Sequence, residues 1–530
     1  MPVNVSQAGM PRQQLAPVAV DAPGSYGLNL RAQNSVLDPH WSIESLNTVI
    51  DANGRVAARL GRTTTSTGHA ASGQVRALFE YLTPTGTTLP IVAYDGGISS
   101  SLTAPNGSSL VGTISNVTSG RWYFQNFNGK CIGFQSGQKP IVLQNAAGTF
   151  SNIVEASGAS PQGGIGCCAY GRVWGLAADG YTLQWCALQD ETNWAAGDAG
   201  SIDLRKVWPL GMDTCTAIFA YGGTLVLCGT KQILMYGSST NSVLGLDVTS
   251  LRLVDAIEGA GCISQWTVAH IGGEKEHSDV LFCSKSGVQS IQRLVLASGS
   301  RPIQNHTKNV RDALVTMLKA ETVGNVSGFY SPSNGFYALT LPTSNFTWIV
   351  DQRHKFQDDD GDEVARVTRW PISTTACAEF SGRAVYFASN TLGHVQQYQA
   401  GGDDGATFTV TLQLPWMDFG QDYASRLKAM KRVGALIYAQ SASQVTFTWY
   451  IDFGISGLSG QASLSSGGTP GQWGISQWGI DQWGAGGLLQ LLNVNASGTG
   501  QYFSLSIASS ANSTFAIQQA SLLGKLLRLA

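Results

Sequence analysis

From residue 71 onward the chain is a succession of short apolar runs separated by Gly, Asn, Asp and Ser turns, a pattern that predicts an all-β protein. Arg121-Trp122-Tyr123-Phe124 turns at Asn128-Gly129 into Cys131-Ile132-Gly133-Phe134. Arg172-Val173-Trp174-Gly175-Leu176 turns at Asp179-Gly180 into Tyr181-Thr182-Leu183-Gln184-Trp185. Asn-Gly and Asp-Gly between hydrophobic runs are strong local hairpin signals. Similar units follow at 223–236, 279–293, 328–341 and 382–398, and their recurrence predicts the blades of a β-propeller without fixing the blade number. One helix interrupts the pattern. Val310, Ala313, Leu314, Met317 and Leu318 fall at i, i+3, i+4, i+7 and i+8, so residues 308–321 should be amphipathic and pack an apolar stripe on the sheets.

After Gly401-Gly402-Asp403-Asp404-Gly405 the alternation sharpens. Phe408, Val410, Leu412 and Leu414 alternate with polar residues, as do Val445, Phe447, Trp449 and Ile451, and Phe503, Leu505 and Ile507. Antiparallel sheets with one buried face read this way. The pattern predicts three parts: an N-terminal arm and docking segment (1–70), a propeller of hairpin repeats (71–404), and a β-sandwich-like domain (405–530) carrying an inserted Trp/Gly-rich loop at 454–487. Within that loop Gln-Trp-Gly occurs three times, at Trp473, Trp478 and Trp483. A period of five fits neither strand nor helix, so the segment reads as a looping arm whose indoles, roughly 16 Å apart if extended, anchor in pockets of a neighbour. These three residues are the candidate interface. Long structureless loops are usually functional.

Composition supports a protein made to be covered. Charged residues are 12% of the chain, with 63 Gly and 14 Trp, so much of the surface is hydroxyl, amide and glycine. Such groups cost less to bury in a subunit contact than charges do. The net charge of −2 argues against a broad basic field gripping nucleic acid, but not against a channel through which it passes. The nine cysteines form no C-x-x-C pair and no metal-like cluster, and read as buried, reduced small hydrophobes, in keeping with assembly in a reducing cytoplasm. Residues 1–14 are polar and lack a signal peptide's apolar region, and no apolar run approaches the roughly 20 residues of a membrane span.

Catalytic signatures are missing: there is no G-x-S-x-G elbow, no H-E-x-x-H and no phosphate-cradling G-x-x-x-x-G-K-[ST]. The expectation is a protein without catalytic residues, metal or cofactor. His270 and His277 flank a Gly-Gly-Glu-Lys-Glu turn and read as solvated turn residues rather than ligands. The acidic run at 358–363 is out of register for an EF-hand and reads as a hairpin tip, with a weak cation site as the alternative. Arg426, Lys428, Lys431 and Arg432 read as a solvated strand or helix edge. A glycan-hydrolysing propeller is disfavoured, because the Ser-x-Asp-x-Gly-x-x-Trp turn box is absent.

Several segments, taken in order, resemble the tail nozzle or tail-hub proteins of short-tailed bacteriophages. They are Gly27-Leu28-Asn29-Leu30 with Leu46-Asn47, Gly54-Arg55-Val56 and Arg59-Leu60-Gly61; the run from Trp194 to Leu204, with Leu225-Val226-Leu227 and Lys231-Gln232-Ile233; Gly261-Cys262-Ile263-Ser264 leading to Val280 through Val288; and Pro415-Trp416-Met417-Asp418-Phe419-Gly420 with the Trp arm. The resemblance implies a non-enzymatic virion protein on a β-propeller scaffold. Its copies would form a ring, typically a homo-hexamer, that docks on a portal-side adaptor protein, carries a tail fibre or spike, and passes double-stranded DNA through its lumen during ejection. A receptor- or glycan-binding β-propeller of the same kind of particle is the second expectation.

Overall fold

The computed structural model describes residues 15–35, 37–66, 73–103, 109–112, 114, 120–239, 241–242, 245–273, 276–291, 305–357, 363–389, 393–420, 426–465, 488–511 and 515–527. They fall into two units, Gly61–Gly405 and Met1–Leu60 with Ala406–Ala530.

The unit Gly61–Gly405 is a β-propeller. Among the described residues it holds six self-contained antiparallel sheets of three or four strands. Sheet 1 runs Val75–Leu82, Thr88–Tyr94, Gly97–Ser99; sheet 2 Tyr123–Phe127, Lys130–Phe134, Ile141–Leu143, Ser151–Asn152; sheet 3 Gly166–Ala169, Arg172–Leu176, Thr182–Trp185, Gly200–Asp203. Sheet 4 runs Ala217–Tyr221, Thr224–Cys228, Gln232–Ser238, Leu251–Glu258; sheet 5 Ala269–Gly273, Glu276–Ser284, Gly287–Ser290; sheet 6 Thr374–Glu379, Val385–Ser389, Val395–Gln399. A further meander of the same plan, Ser327–Ser331, Phe336–Leu341, Phe346–Gln357 and Glu363–Trp370, stands between sheets 5 and 6. The Asn128-Gly129 hairpin forms as expected. Both residues have positive φ (47° and 71°), and Phe127 pairs with Lys130, the geometry a two-residue primed turn requires.

Why the strands read as continuous apolar runs becomes clear from packing. Leu225, Leu227 and Leu234 face a core shared with Trp174, Leu176 and Leu183 of sheet 3. Their neighbours Val226, Cys228, Ile233 and Met235 face a second core shared with Val280 and Phe282 of sheet 5. A blade wedged between two others buries both faces, so the period of two disappears from its hydrophobicity. The same double burial links sheets 1 and 2, sheets 2 and 3, and sheets 6 and 1. The interposed meander joins sheet 6 through the aromatic group Phe336, Trp370, Phe387 and Tyr398, with Trp370 stacked on Tyr398 at 5.6 Å.

Closure uses a strand from the other end of the unit. Gly61–Ser66 pairs antiparallel with Val395–Gln399, from Gly61 opposite Gln399 to Ser66 opposite Val395, and becomes the fourth strand of sheet 6. The propeller therefore begins at 61 rather than 71, and residues 61–66 belong to it and not to a docking arm. The Gly401–Gly405 stretch, which reads as a linker, fastens this strand: Arg62 N–H donates to Asp403 Oδ1 at 3.0 Å and Thr64 Oγ1 donates to Asp404 Oδ2 at 2.8 Å. The expected helix is present as a 3-10 turn, Lys308–Val310, continued by Arg311–Ala320; Val310 and Leu314 are buried, and Ala313, Met317 and Leu318 half-buried.

The other unit is a two-sheet sandwich. One sheet is ordered Leu488–Asn495, Lys428–Ala439, Phe515–Leu526, Val56–Ala58, Thr48–Ile50, with Leu15–Asp21 added to Phe515–Leu526. The other runs Glu44–Leu46, Phe408–Gln413, Phe503–Ala511, Ser443–Ile451, Leu458–Leu464. The alternating residues named from sequence meet in one core: Val410, Leu412, Phe447, Leu505 and Ile507 from one sheet, Val433, Ile437, Ile517 and Leu522 from the other. The described residues before Gly61 are not a separate docking segment. Leu15 to Asp21 pair with Lys525 to Gln519, and Glu44 to Leu46 with Gln413 to Thr411. The first of these strands gave no signal because its inward residues, Ala16, Val18 and Val20, alternate with Leu15, Pro17 and Ala19, whose apolar character on the outer face blurs the period of two.

Candidate functional site

The three candidate anchors, Trp473, Trp478 and Trp483, lie outside the described residues, and so do 358–362 of the acidic turn. The ends of the arm are described. The insertion starts after Ser465 and not at 454, because Leu458–Leu464 is a strand paired with Ser443–Ile451. Glycine permits that strand: a Cβ at Gly460 would lie 2.2 Å from Val494 Cγ1. Ser465 N–H donates to Gln490 Oε1 at 2.9 Å and Gln490 Nε2 donates back to Ser465 O at 2.8 Å, tying the two ends together. Beside this base Leu491 is 62% exposed and Leu489 52%, and at the other end of the Leu458–Leu464 strand Ile455 is 97% and Phe453 51% exposed. Among the described residues Leu458–Leu464 and Leu488–Asn495 are each the last strand of their sheet, and they lie side by side.

The remaining candidates resolve differently from one another. His270 and His277 lie on the two strands of one hairpin rather than in a turn, with His270 opposite Val280. Arg426, Lys431 and Arg432 are exposed, as expected of a solvated edge. Lys428 corrects that reading. It is buried, its Nζ donates to Gln501 O at 2.9 Å, and it lies 5.6 Å from the Phe419 ring centroid; burial pushes its pKa down, while Asp418 and Asp452 pull the other way. Strand register turns Lys428 inward.

The segments that carry the family resemblance are structural corners. Asn47, at φ 55°, donates from Nδ2 to Thr409 O at 2.8 Å and accepts from Arg59 Nε at 2.8 Å, while the Arg59 guanidinium lies 3.9 Å from the Phe408 ring centroid. In sheet 3, Asp198 forms an ion pair with the buried Arg172, accepts from Leu188 N–H, and its backbone carbonyl accepts from Trp185 Nε1 at 3.1 Å. The Arg172 hydrogen bond, opposed by burial, holds the Asp198 carboxyl below its usual range.

Sequence reading passed over the polar site inside the propeller, where the first strands of neighbouring sheets approach one another. Val75–Leu82 lies beside Tyr123–Phe127 and Thr374–Glu379, and Ser327–Ser331 lies beside Thr374–Glu379. Arg121, at the foot of the Tyr123 strand, reaches across this space. Its Nη1 donates to Gly324 O at 3.0 Å and Val326 O at 2.9 Å, and its Nη2 to Thr375 O at 2.9 Å. The guanidinium also lies 4.9 Å from the Trp266 ring centroid. Arg76, beside it, is forked onto Asp95 at 2.7 and 3.0 Å. Arg121 has no carboxylate partner among the described residues, and burial, with a smaller push from Arg76, lowers its pKa to about 9. Two adjoining cavities of about 190 and 130 Å³ share Arg76 and Arg121 in their walls. The only sequence signal was a charged residue leading an apolar inner strand.

All nine cysteines are free, seven of them buried and Cys168 and Cys377 half-buried, and burial raises their thiol pKa values, that of Cys167 to about 12. Among the described residues no group of three or more His, Cys, Asp or Glu side chains could hold a metal ion, and no helix is long and apolar enough to cross a membrane. No family model and no curated protein matches the chain. Among solved structures it is similar to BamB from Moraxella catarrhalis, at 13% identity over 73% of this chain and 98% of that one, with a TM-score of 0.33. It is also similar to the extracellular domain of a hybrid two-component system from B. thetaiotaomicron, at 10% identity and a TM-score of 0.32; there it covers 70% of its own length but 43% of the other chain.

Proposed function

We propose that this protein is a non-enzymatic structural subunit of a short-tailed bacteriophage tail nozzle or hub. Copies close into a ring, a hexamer on the family's pattern, that docks on a portal-side adaptor, bears fibre or spike, and lets genomic DNA leave through its centre. The observation that carries this reading is the exposed apolar surface of the sandwich unit beside the base of the Trp arm. Leu489 and Leu491 stand exposed there, and Ile455 and Phe453 at the far end of the neighbouring strand, in a chain with 12% charged residues, and apolar groups left outward are suited to being covered by another chain. The interior of the propeller is crossed by Arg121 and its three carbonyl partners, so the DNA path is assigned to the space enclosed by several copies and not to the axis of one. A heterologous contact repeated by rotation closes such a ring.

Negative-stain imaging of the purified full-length protein tests the reading. Rings with a lumen of about 20 Å or more, the width a B-form duplex demands, are the expected result. A strictly monomeric particle at assembly concentrations that binds a panel of sugars would replace it with the receptor- or glycan-binding propeller.

A further inference from the structure

We propose that the acidic loop at 358–362 of one copy docks on a basic patch formed by Arg426, Lys431, Arg432 and Lys525 of the next. This deepens the ring reading and rests on it. An irregularity of the sheet makes the patch. Lys428–Ala439 pairs with Phe515–Leu526, with Met430 opposite Gly524 and Arg432 opposite Leu523, so Lys431 is an extra residue in the ladder. Met430 and Val433 on either side point into the core. The bulge therefore leaves Lys431 and Arg432 both outward and exposed, where regular alternation would have turned one of them in. Lys525, opposite Ala429 and next to the inward Leu526, faces the same side, roughly 8 Å from Lys431 by strand spacing. Arg426 stands exposed just ahead of the strand.

Among the described residues none of these four cations forms an ion pair. The outward positions of the flanking strands are Leu15, Pro17 and Ala19 on one side and Asn493 and Asn495 on the other, which offer no negative charge. Asp21 does face this way, but at the opposite end of its strand, where it accepts from Gln519 Nε2 at 2.7 Å. The chain carries the complement itself. Asp358, Asp359, Asp360 and Asp362 crowd into the stretch that joins Phe346–Gln357 to Glu363–Trp370, in a chain only 12% charged. Opposite patches of this kind steer association and fix its register. Loop and patch belong to different units, so their contact between copies is heterologous, the kind that closes a ring. The patch also continues into the exposed apolar surface: Asn495 lies opposite Arg432, and Leu491 and Leu489 follow along the same strand on the same face. Nucleic acid is the poorer fit, because a patch this small in a chain of net charge −2 is no broad basic field.

Sedimentation velocity of the full-length protein and two charge-reversal variants tests the contact. The first variant carries Lys431→Glu with Arg432→Glu, the second Asp358→Lys, Asp359→Lys and Asp360→Lys. Each alone should weaken self-association roughly a hundredfold, the order expected when like charges are set opposite one another. An equimolar mixture should give a one-to-one complex and nothing larger, because only the intact loop of the first and the intact patch of the second remain matched. Recovery in the mixture also shows that both variants are folded. If the native protein assembles and both variants assemble as well, or if the two unassembled variants do not complement each other, this contact is overturned and the ring is kept. A native protein that stays monomeric overturns both. Two further results exclude the contact between copies. Loss of duplex-DNA binding by the first variant, with assembly intact, assigns the patch to phosphates; a lower unfolding midpoint in both variants, with assembly intact, seats the loop on its own chain.

Discussion

Lys428 shows what a single register position can do to a charge. It sits in a basic cluster that reads as a solvated edge, yet its neighbours Lys431 and Arg432 face water while its own ammonium meets Gln501 O and the Phe419 ring. Burial lowers its folded-state pKa below 10.5, so between the two values the unfolded chain binds more protons than the folded one. The sign follows: the cost of holding Lys428 charged is present at neutral pH and is relieved as pH rises through the folded pKa. Urea unfolding from pH 7 to 10 should show this part of the rise in stability in the native protein and not in Lys428→Met. The methionine variant should stay within about 1 kcal/mol of native at pH 7, since replacing a buried ion by an apolar group is often neutral. Identical slopes in the two proteins would show that Lys428 titrates as if exposed. Composition cannot separate an inward lysine from outward ones, because orientation depends on pairing with Phe515–Leu526 and Thr499–Gly500.

At the level of elements, legibility followed distance along the chain. The Asn128-Gly129 hairpin, the amphipathic helix and the alternating strands at 408–413, 443–451 and 503–511 were readable because turn chemistry and periodicity are local. Closure of sheet 6 by Gly61–Ser66 was not, since its partners stand at the other end of the unit, and neither was the axial site, assembled from strands of separate sheets. Gly61 makes closure a matter of one missing methyl: a Cβ there would lie 2.3 Å from Gly402 O and 2.4 Å from Gly401 O, both backbone atoms. Gly61→Val should therefore lower the urea midpoint by the equivalent of about 1–3 kcal/mol, the usual cost of overpacking. An unchanged midpoint would mean that the closing strand can shift freely. The Trp arm predicts the opposite separation of stability and assembly. Trp473, Trp478 and Trp483 changed together to Ala should leave monomer unfolding unaltered while sedimentation shows loss of the larger species; normal assembly would remove the arm from the interface.

For the molecule as a whole, the ring reading makes the sandwich edge its working surface. Leu489→Ser with Leu491→Ser should leave the fold intact, since both side chains are already 52% and 62% exposed, and should shift size-exclusion elution toward monomer. Elution unchanged from native would place the subunit contact elsewhere. The same unit also joins stretches far apart in sequence: Leu15–Asp21 pairs with Phe515–Leu526. On the ribosome, at roughly 5–20 residues per second, that nascent segment waits on the order of half a minute to two minutes before the matching stretch emerges. A strand left single for so long is an aggregation hazard unless its composition discourages chance pairing. Leu15–Asp21 has two alanines, an aspartate and Pro17, whose missing N–H spoils one rung of any borrowed ladder. Its weakness as a β-strand on paper is what keeps it solitary until its distant partner is made.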